Sequence, residues 1–133
     1  MRVIIEKREG VTLLMPLGYM VNGNINYLRE IIKDIQNKKI KDVIINLGRI
    51  RMIDSEGFAA IVYLVKICRL LGGDVKLASM RNHIEEIYMM MRLNKVVVSY
   101  PSIDDALKSF VPKEKSRAMP SPVFSGIMNQ TSA

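Results

Sequence analysis

A strand-like pattern changes into a helical one within the segment Met52-Ile53-Asp54-Ser55-Glu56-Gly57-Phe58-Ala59-Ala60-Ile61. The apolar run Val43–Leu47 comes just before it and predicts a buried strand. A long apolar helical pattern, Phe58–Leu71, starts inside it. We therefore expect Asp54 and Ser55 at a helix N-terminus, where free backbone N–H groups and the helix dipole favour negative charge. A hydroxyl at that position is either a simple helix cap or a place for a phosphate.

Length and composition indicate one globular domain. The chain has 133 residues, of which 49% are hydrophobic, enough to build a core. Its formal net charge is +7, but the basic residues are scattered along the chain. Attraction to an acidic protein surface is therefore favoured over nucleic-acid binding, and no direct nucleic-acid partner is expected.

The chain has one cysteine, Cys68, and one histidine, His83. Cys68 lies in the apolar helical pattern, which predicts a buried free thiol in a reducing compartment. His83 is expected at the surface or at a helix start, and the two residues cannot make a metal site. No histidine stands ready as a base for Ser55, and the glycine-rich phosphate loops G-x-x-x-x-G-K-[ST] and G-x-G-x-x-G are absent. Neither a cofactor nor an enzymatic activity is expected.

The sequence shows no targeting or membrane segment. The N-terminus reaches Glu6 too early for a signal peptide. The longest apolar run, Gly57–Val65, is ended by Lys66 and is too short to span a bilayer. We therefore expect a soluble, cytoplasmic protein without a membrane partner.

Strand and helix patterns alternate up to residue 110. Strands are predicted at Val3–Lys7, Val11–Leu17, Lys41–Leu47, Val75–Ser79 and Val96–Val98. Helices are predicted after Asn24 as N-cap, at Phe58–Leu71, from Arg81 or Asn82, and at Ile103–Phe110 after Ser102 as N-cap. This alternation predicts an α/β fold with a mostly parallel sheet in a domain of residues 1–110. Prolines, serines and the lack of an apolar period predict a flexible C-terminal tail, residues 111–133.

The second predicted helix is apolar around most of its circumference. Between Phe58 and Leu71 only Lys66 and Arg69 are charged. A core face is supplied by Phe58, Ile61, Val62 and Val65, which leaves Ala60, Tyr63, Leu64, Ile67 and Leu71 on other sides. Either flanking helices cover both sides of this helix, or an apolar strip is open for a partner.

The motif Asp54-Ser55-Glu56-Gly57-Phe58-Ala59, between a strand and an apolar helix, resembles a known signature. It is similar to the Asp-Ser-Ser/Thr-Gly-Leu-Gly motif of bacterial STAS-domain anti-sigma factor antagonists. The resemblance covers roughly residues 2–110 and includes the Gly72-Gly73 break and the closing Asp105-Ala106-Leu107 helix. It implies a STAS-like single domain, with a mixed, mostly parallel β-sheet and about four helices packed on one side.

The resemblance also implies a function in transcription regulation. In this family the unphosphorylated protein binds an anti-sigma factor, often a serine kinase, and frees the sigma factor. The kinase phosphorylates the serine after the motif aspartate, which is Ser55 here, and a serine phosphatase reverses the modification. Asp54, Glu56, Gly57 and Phe58 are then expected to form the motif that meets the partner, with Gly57 keeping the helix start uncrowded for a kinase.

Two positions depart from the family pattern. Glu56 stands where the family has Ser or Thr, and it places a permanent negative charge beside Ser55. This charge either hinders the kinase or partly mimics the phosphorylated state. The loop Tyr19–Asn22 carries no acidic residue, although the family usually has one near the phosphorylation site.

Two other functions stay open on the sequence. The first is a STAS protein-interaction module or scaffold that is not regulated at Ser55, in which Asp54 and Ser55 are only helix caps. The second is either an enzyme, which turnover abolished by Ser55→Ala would favour, or a nucleic-acid binder, which salt-dependent retention on DNA would favour.

Overall fold

The computed structural model describes residues 1–110, which form six β-strands and four α-helices. The elements are β1 (Arg2–Arg8), β2 (Val11–Met20), α1 (Asn26–Asn37), β3 (Asp42–Asn46), β4 (Ile50–Ile53), α2 (Ser55–Leu70), β5 (Asp74–Ala78), α3 (Asn82–Met90), β6 (Val98–Tyr100) and α4 (Ile103–Lys108). A single 3-10 turn, Leu93–Lys95, joins α3 to β6. The predicted flexible tail, residues 111–133, lies outside the described residues.

The strands form one mixed sheet in the order β1-β2-β3-β5-β6. β1 and β2 make an antiparallel hairpin, whereas β2, β3, β5 and β6 run parallel to one another. The predicted class, an α/β single domain with a mostly parallel sheet, is confirmed.

Apolar side chains on the two faces of the sheet build two separate cores. On β3, Val43 and Ile45 face the larger core, which α1, α2 and α3 cover. Ile44 faces the opposite side, where it packs with Ala106 and Leu107 of α4. The expectation that all helices pack on one side is thus corrected for α4, because successive strand residues alternate between faces and both faces here are apolar.

Flanking elements cover most of α2. Its side chains Ala60, Leu64 and Ile67 are buried, and α1 packs along one flank while Leu93 joins the same core. The flanked-helix alternative is therefore correct for these three positions, whereas Tyr63 stays 52% exposed. Cys68 is buried as predicted, and burial, with the carboxylates of Asp42 and Asp74, raises the pKa of its thiol to about 11.

β4 is the strand that the sequence did not predict. It has four residues, of which Arg51 and Met52 are exposed, so neither a continuous apolar run nor a clean alternation marks it. It pairs in parallel with the end of β2, at Gly18–Met20. Its role is positional, since the Asp54 N–H that follows it donates to the carbonyl of Met20 at 3.2 Å.

The predicted strand Val96–Val98 is wrong by two residues. The Val97 N–H closes the 3-10 turn by donating to the Leu93 carbonyl at 2.9 Å. The Val97 carbonyl accepts the buried hydroxyl of Tyr88 at 2.6 Å. Both backbone groups of Val97 are thus used by the turn and by α3, and the strand begins at Val98.

Asn24 is not the N-cap of α1. The cap position falls on Ile25, which makes no side-chain capping bond. The Asn24 amide instead donates to the Tyr19 carbonyl at 2.8 Å and stabilises the loop after β2. The loop that borders the motif is therefore held by its own polar side chain.

Candidate functional site

Asp54 joins two segments of the chain that are distant in sequence. Its Oδ1 accepts the Gly57 N–H at 3.0 Å, which caps α2. Its Oδ2 accepts the Asn22 N–H at 2.9 Å, from the loop between β2 and α1. The N–H groups of Asn22 and then of Gly57 hold the pKa of Asp54 below its usual value, because both bonds favour the charged carboxylate. The predicted cap residue is therefore also a link between loop and helix.

Gly57 lets the start of α2 lie directly on the end of β2. A Cβ atom at this position would collide with the Met20 carbonyl oxygen and would come within 2.7 Å of Ile53 Cγ1. Gly57 is buried, so its small size serves this backbone contact. The close approach is what brings Asp54 within reach of the Asn22 N–H.

Ser55 is the first residue of α2, and its side chain is exposed. Within residues 1–110 its hydroxyl forms no hydrogen bond, because the capping bond is made by Asp54. Within the same residues the hydroxyl also has no hydrogen-bonded base that could activate it as a nucleophile. Ser55 borders a groove of about 410 Å³ that runs between α2 and the segment of Met91 and Leu93.

Glu56 lies on the other flank of α2. Its Oε1 accepts a hydrogen bond from the Arg29 guanidinium of α1 at 2.8 Å, in an ion pair. The two side chains are 44% and 50% exposed, so solvent screens the pair and its contribution to stability is small. Its structural effect is to hold the Glu56 charge toward α1, whereas Ser55 borders the groove next to Met91 and Leu93.

The structure brings the five motif residues together at one end of the sheet but exposes them unequally. Gly57 and Phe58 are buried, Asp54 and Glu56 are half-buried, and Ser55 is exposed. Phe58 is 1% exposed and belongs to the large core. Sequence reasoning missed Arg29, because no local pattern could have paired it with Glu56, 27 residues further along the chain.

Among residues 1–110 no group of three or more His, Cys, Asp or Glu side chains could hold a metal ion. No helix in this part of the chain is long and apolar enough to cross a membrane.

The fold and the motif agree with a family assignment. The family model of the STAS domain matches residues 2–106, which include every strand and the start of the last helix. The chain therefore belongs to the STAS domain family.

Relatives of this chain are named as anti-sigma factor antagonists. A candidate antagonist of Thermotoga neapolitana, a homologue of TM1081, is 26% identical over 101 residues, covering 75% of this chain and 89% of that protein. The crystal structure of TM1081, a candidate antagonist of Thermotoga maritima, has a TM-score of 0.76 at 22% identity and covers 80% of this chain and 92% of that one.

SpoIIAA is a third protein of the same fold. Its unphosphorylated form, an anti-sigma factor antagonist, has a TM-score of 0.65 at 12% identity, with 84% of this chain and 98% of that chain covered. Its phosphorylated form, from Bacillus, has a TM-score of 0.63 at 13% identity, with 81% and 98% covered. These likenesses show a shared fold.

The link made by Asp54 predicts a pH-dependent effect of Asp54→Ala. The variant should unfold at a lower temperature than the wild type near neutral pH, because the Gly57 and Asn22 N–H groups lose their acceptor. The native pKa is lowered, so the stabilisation is complete above the usual carboxyl pKa of about 4 and is lost as pH falls through the native pKa. Thermal unfolding followed by circular dichroism from neutral to acidic pH measures the difference.

The matched control for this variant is Ser102→Ala. Ser102 Oγ caps α4 by accepting the Asp105 N–H at 3.1 Å, and a hydroxyl does not titrate in this range. Its effect on the unfolding temperature should not change with pH. An Asp54→Ala effect that is equally independent of pH would contradict the role of the charged carboxylate.

The close contact at Gly57 predicts that Gly57→Ala destabilises the domain by about 1–3 kcal/mol through overpacking. Alanine is the better helix former by about 1 kcal/mol, so propensity alone predicts the opposite sign. Urea unfolding measures the change in the free energy of unfolding. Ser55→Ala, an exposed position two residues earlier, is the control and is expected within about 0.5 kcal/mol of wild type. A Gly57→Ala protein as stable as wild type would show that the contact with Met20 relaxes without strain.

Proposed function

We propose that this chain is an anti-sigma factor antagonist that binds an anti-sigma factor with serine kinase activity. Phosphorylation of Ser55 by that kinase ends the binding, and a serine phosphatase restores it. The proposed protein is a binding partner and not an enzyme. The observation that carries the proposal is that the Ser55 hydroxyl is exposed and free within residues 1–110, because Asp54 alone caps the helix.

A phosphate on Ser55 would change the surface more than the fold. It adds nearly two negative charges at neutral pH. At the N-terminus of α2 these charges meet the positive end of the helix dipole, so the domain can accept them. A partner seated over the same turn would instead meet a new, solvated dianion, which opposes burial in an interface. The similarity to SpoIIAA, a protein with a phosphorylated form, supports this assignment.

The ion pair of Glu56 bears on whether this residue mimics a phosphate. Its charge is partly compensated by Arg29 and lies toward α1. The Ser55 side chain borders the groove on the other flank of α2. We therefore favour a Glu56 that leaves Ser55 open to the kinase over a Glu56 that acts as a permanent substitute for the phosphate.

The first test uses Ser55 variants with each serine-kinase anti-sigma factor of the same organism. Ser55→Ala should lose phosphorylation and keep binding, whereas Ser55→Glu should weaken binding by about tenfold or more, which is roughly 1.4 kcal/mol. Calorimetry measures binding, and intact mass with peptide mapping locates the phosphate. Ser102→Ala is the control, since Ser102 also begins a helix and its removal should change neither the binding nor the phosphorylation of Ser55.

Peptide mapping of protein isolated from its own cells decides between a STAS protein that is switched at Ser55 and one that is not. A phosphate on Ser55 supports the switch. Unmodified protein both in growth and in stress would favour an interaction module or scaffold that is not regulated at Ser55.

The Arg29–Glu56 pair gives a second test. Arg29→Ala should slow phosphorylation of Ser55 a few-fold, because it leaves the Glu56 charge uncompensated and exposed pairs are worth about 0.2–1 kcal/mol. Adding Glu56→Gln to this variant should restore the rate of Ser55 phosphorylation. The control is Lys33→Ala, which removes an exposed charge one turn further along α1. Initial rates with the cognate kinase measure the effect. An unchanged rate in Arg29→Ala would show that the charge of Glu56 does not reach the reaction.

A further inference from the structure

The start of α3 is bonded to the turn between β3 and β4. Arg81 Nε donates to the Gly48 carbonyl at 3.0 Å. The His83 Nε2 lies 2.8 Å from the Arg51 carbonyl, which only accepts, so this nitrogen carries the proton. These two bonds fix the start of α3 against the β3–β4 turn and the backbone of β4, and so bring the segments that carry the arginines together.

Three arginines belong to the segments that these two bonds join. Arg49, Arg51 and Arg81 are all exposed, and within residues 1–110 none of them forms an ion pair. Glu85 lies one turn into α3, but it is not bonded to any of the three. Positive charge is therefore concentrated here without an internal counterion in the described part of the chain.

Two large apolar side chains border the arginines. Tyr19 of β2 and Met52 of β4 are register partners, so they share a face of the sheet. They are 50% and 46% exposed. The Gly18 N–H donates to the Arg49 carbonyl at 3.1 Å, which places this pair beside the β3–β4 turn. We name the surface formed by Arg49, Arg51, Arg81, Tyr19 and Met52 the arginine face.

The arginine face adjoins the phosphorylation site proposed above. β4 ends one residue before Asp54, and Ser55 follows. Four residue steps separate Arg51 from Ser55, so their Cα atoms are at most about 13 Å apart at roughly 3.3 Å per step. That upper limit slightly exceeds the Debye length of about 8–10 Å in physiological salt, so a charge added at Ser55 acts on this surface through partial screening and more strongly at low salt.

We propose that the arginine face binds an acidic segment of a protein partner, with apolar side chains of that segment on Tyr19 and Met52. This inference deepens the proposed function by naming the chemistry of the partner, and it rests on that function only for the partner being an anti-sigma factor. Three unpaired guanidinium groups supply the charge complementarity. The phosphate on Ser55 would reduce the positive potential and so weaken attraction for the acidic segment.

The composition of the face favours a protein over a nucleic acid. Arginine, tyrosine and methionine are enriched in protein interfaces, where lysine is depleted. The face contains no lysine and joins its charges to a half-exposed apolar pair. A nucleic-acid surface needs a longer basic stripe along the phosphate backbone, and the other basic residues of this chain are scattered.

The direct test titrates the full chain with a synthetic peptide rich in Asp and Glu that carries a central Leu-Leu pair. Backbone amide shifts measured by NMR should move at Tyr19 and at residues 49–52. Arg49→Glu combined with Arg51→Glu should weaken binding of the peptide by about tenfold or more, because each charge reversal removes an attraction and adds a repulsion. These two side chains make no hydrogen bonds within the described residues, and Arg49→Gln with Arg51→Gln serves if the reversal variant does not fold.

The matched control is Lys7→Glu with Lys41→Glu. It changes the net charge equally, at exposed positions near the opposite end of the sheet. This variant should weaken binding of the peptide much less than the arginine variant does. Equal affinities in both variants, shifts that map elsewhere, or a short DNA duplex that binds the face more tightly than the peptide would each overturn the proposal.

The same variants are then measured against the anti-sigma factors. Loss of binding in the arginine variant with binding kept in the lysine variant supports the face as part of that interface. If no anti-sigma factor binds even the unmodified chain, the proposed function fails, while the peptide titration still decides the arginine face. The two failures are therefore distinguishable.

Discussion

One carboxylate organises the site, and the rest of the arrangement depends on it. Asp54 accepts hydrogen bonds from the Asn22 and Gly57 N–H groups, which are 32 and 3 residues away. These two hydrogen bonds fix the first turn of α2 against the loop after β2. It is possible only because Gly57 lacks a side chain and lies against the Met20 backbone. Since Asp54 does the capping, the neighbouring hydroxyl of Ser55 takes no hydrogen bond within residues 1–110.

The charges around Ser55 are arranged by tertiary contacts. On one flank of α2 the Glu56 carboxylate is paired with Arg29 of α1. Beyond the start of the helix, bonds from Arg81 and His83 hold α3 against the segment that carries Arg49 and Arg51. A phosphate at Ser55 would enter between a compensated negative charge and an uncompensated positive surface. Under the proposed function, this change of two charges would alter recognition while the cores on both faces of the sheet stay intact.

Much of the fold could be predicted from the sequence because the apolar periods are strong. The strands with continuous apolar runs and the helices with a clear apolar face were predicted to within a few residues. The exceptions have local causes. β4 is short and half-exposed, Val97 is taken up by Tyr88 and the 3-10 turn, and Asn24 bonds to the loop behind it.

The sequence by itself determined the α/β class, the burial of Cys68 and the position of Ser55 at a helix start, because hydrophobic period and capping chemistry act over a few residues. Only the tertiary structure decided that Asp54 also holds the loop at Asn22, that Glu56 meets Arg29, and that α4 covers the second face of the sheet. These contacts join residues far apart in the chain. Their partners are chosen by how the packed elements bring side chains within bonding distance, and local sequence patterns carry no record of that choice.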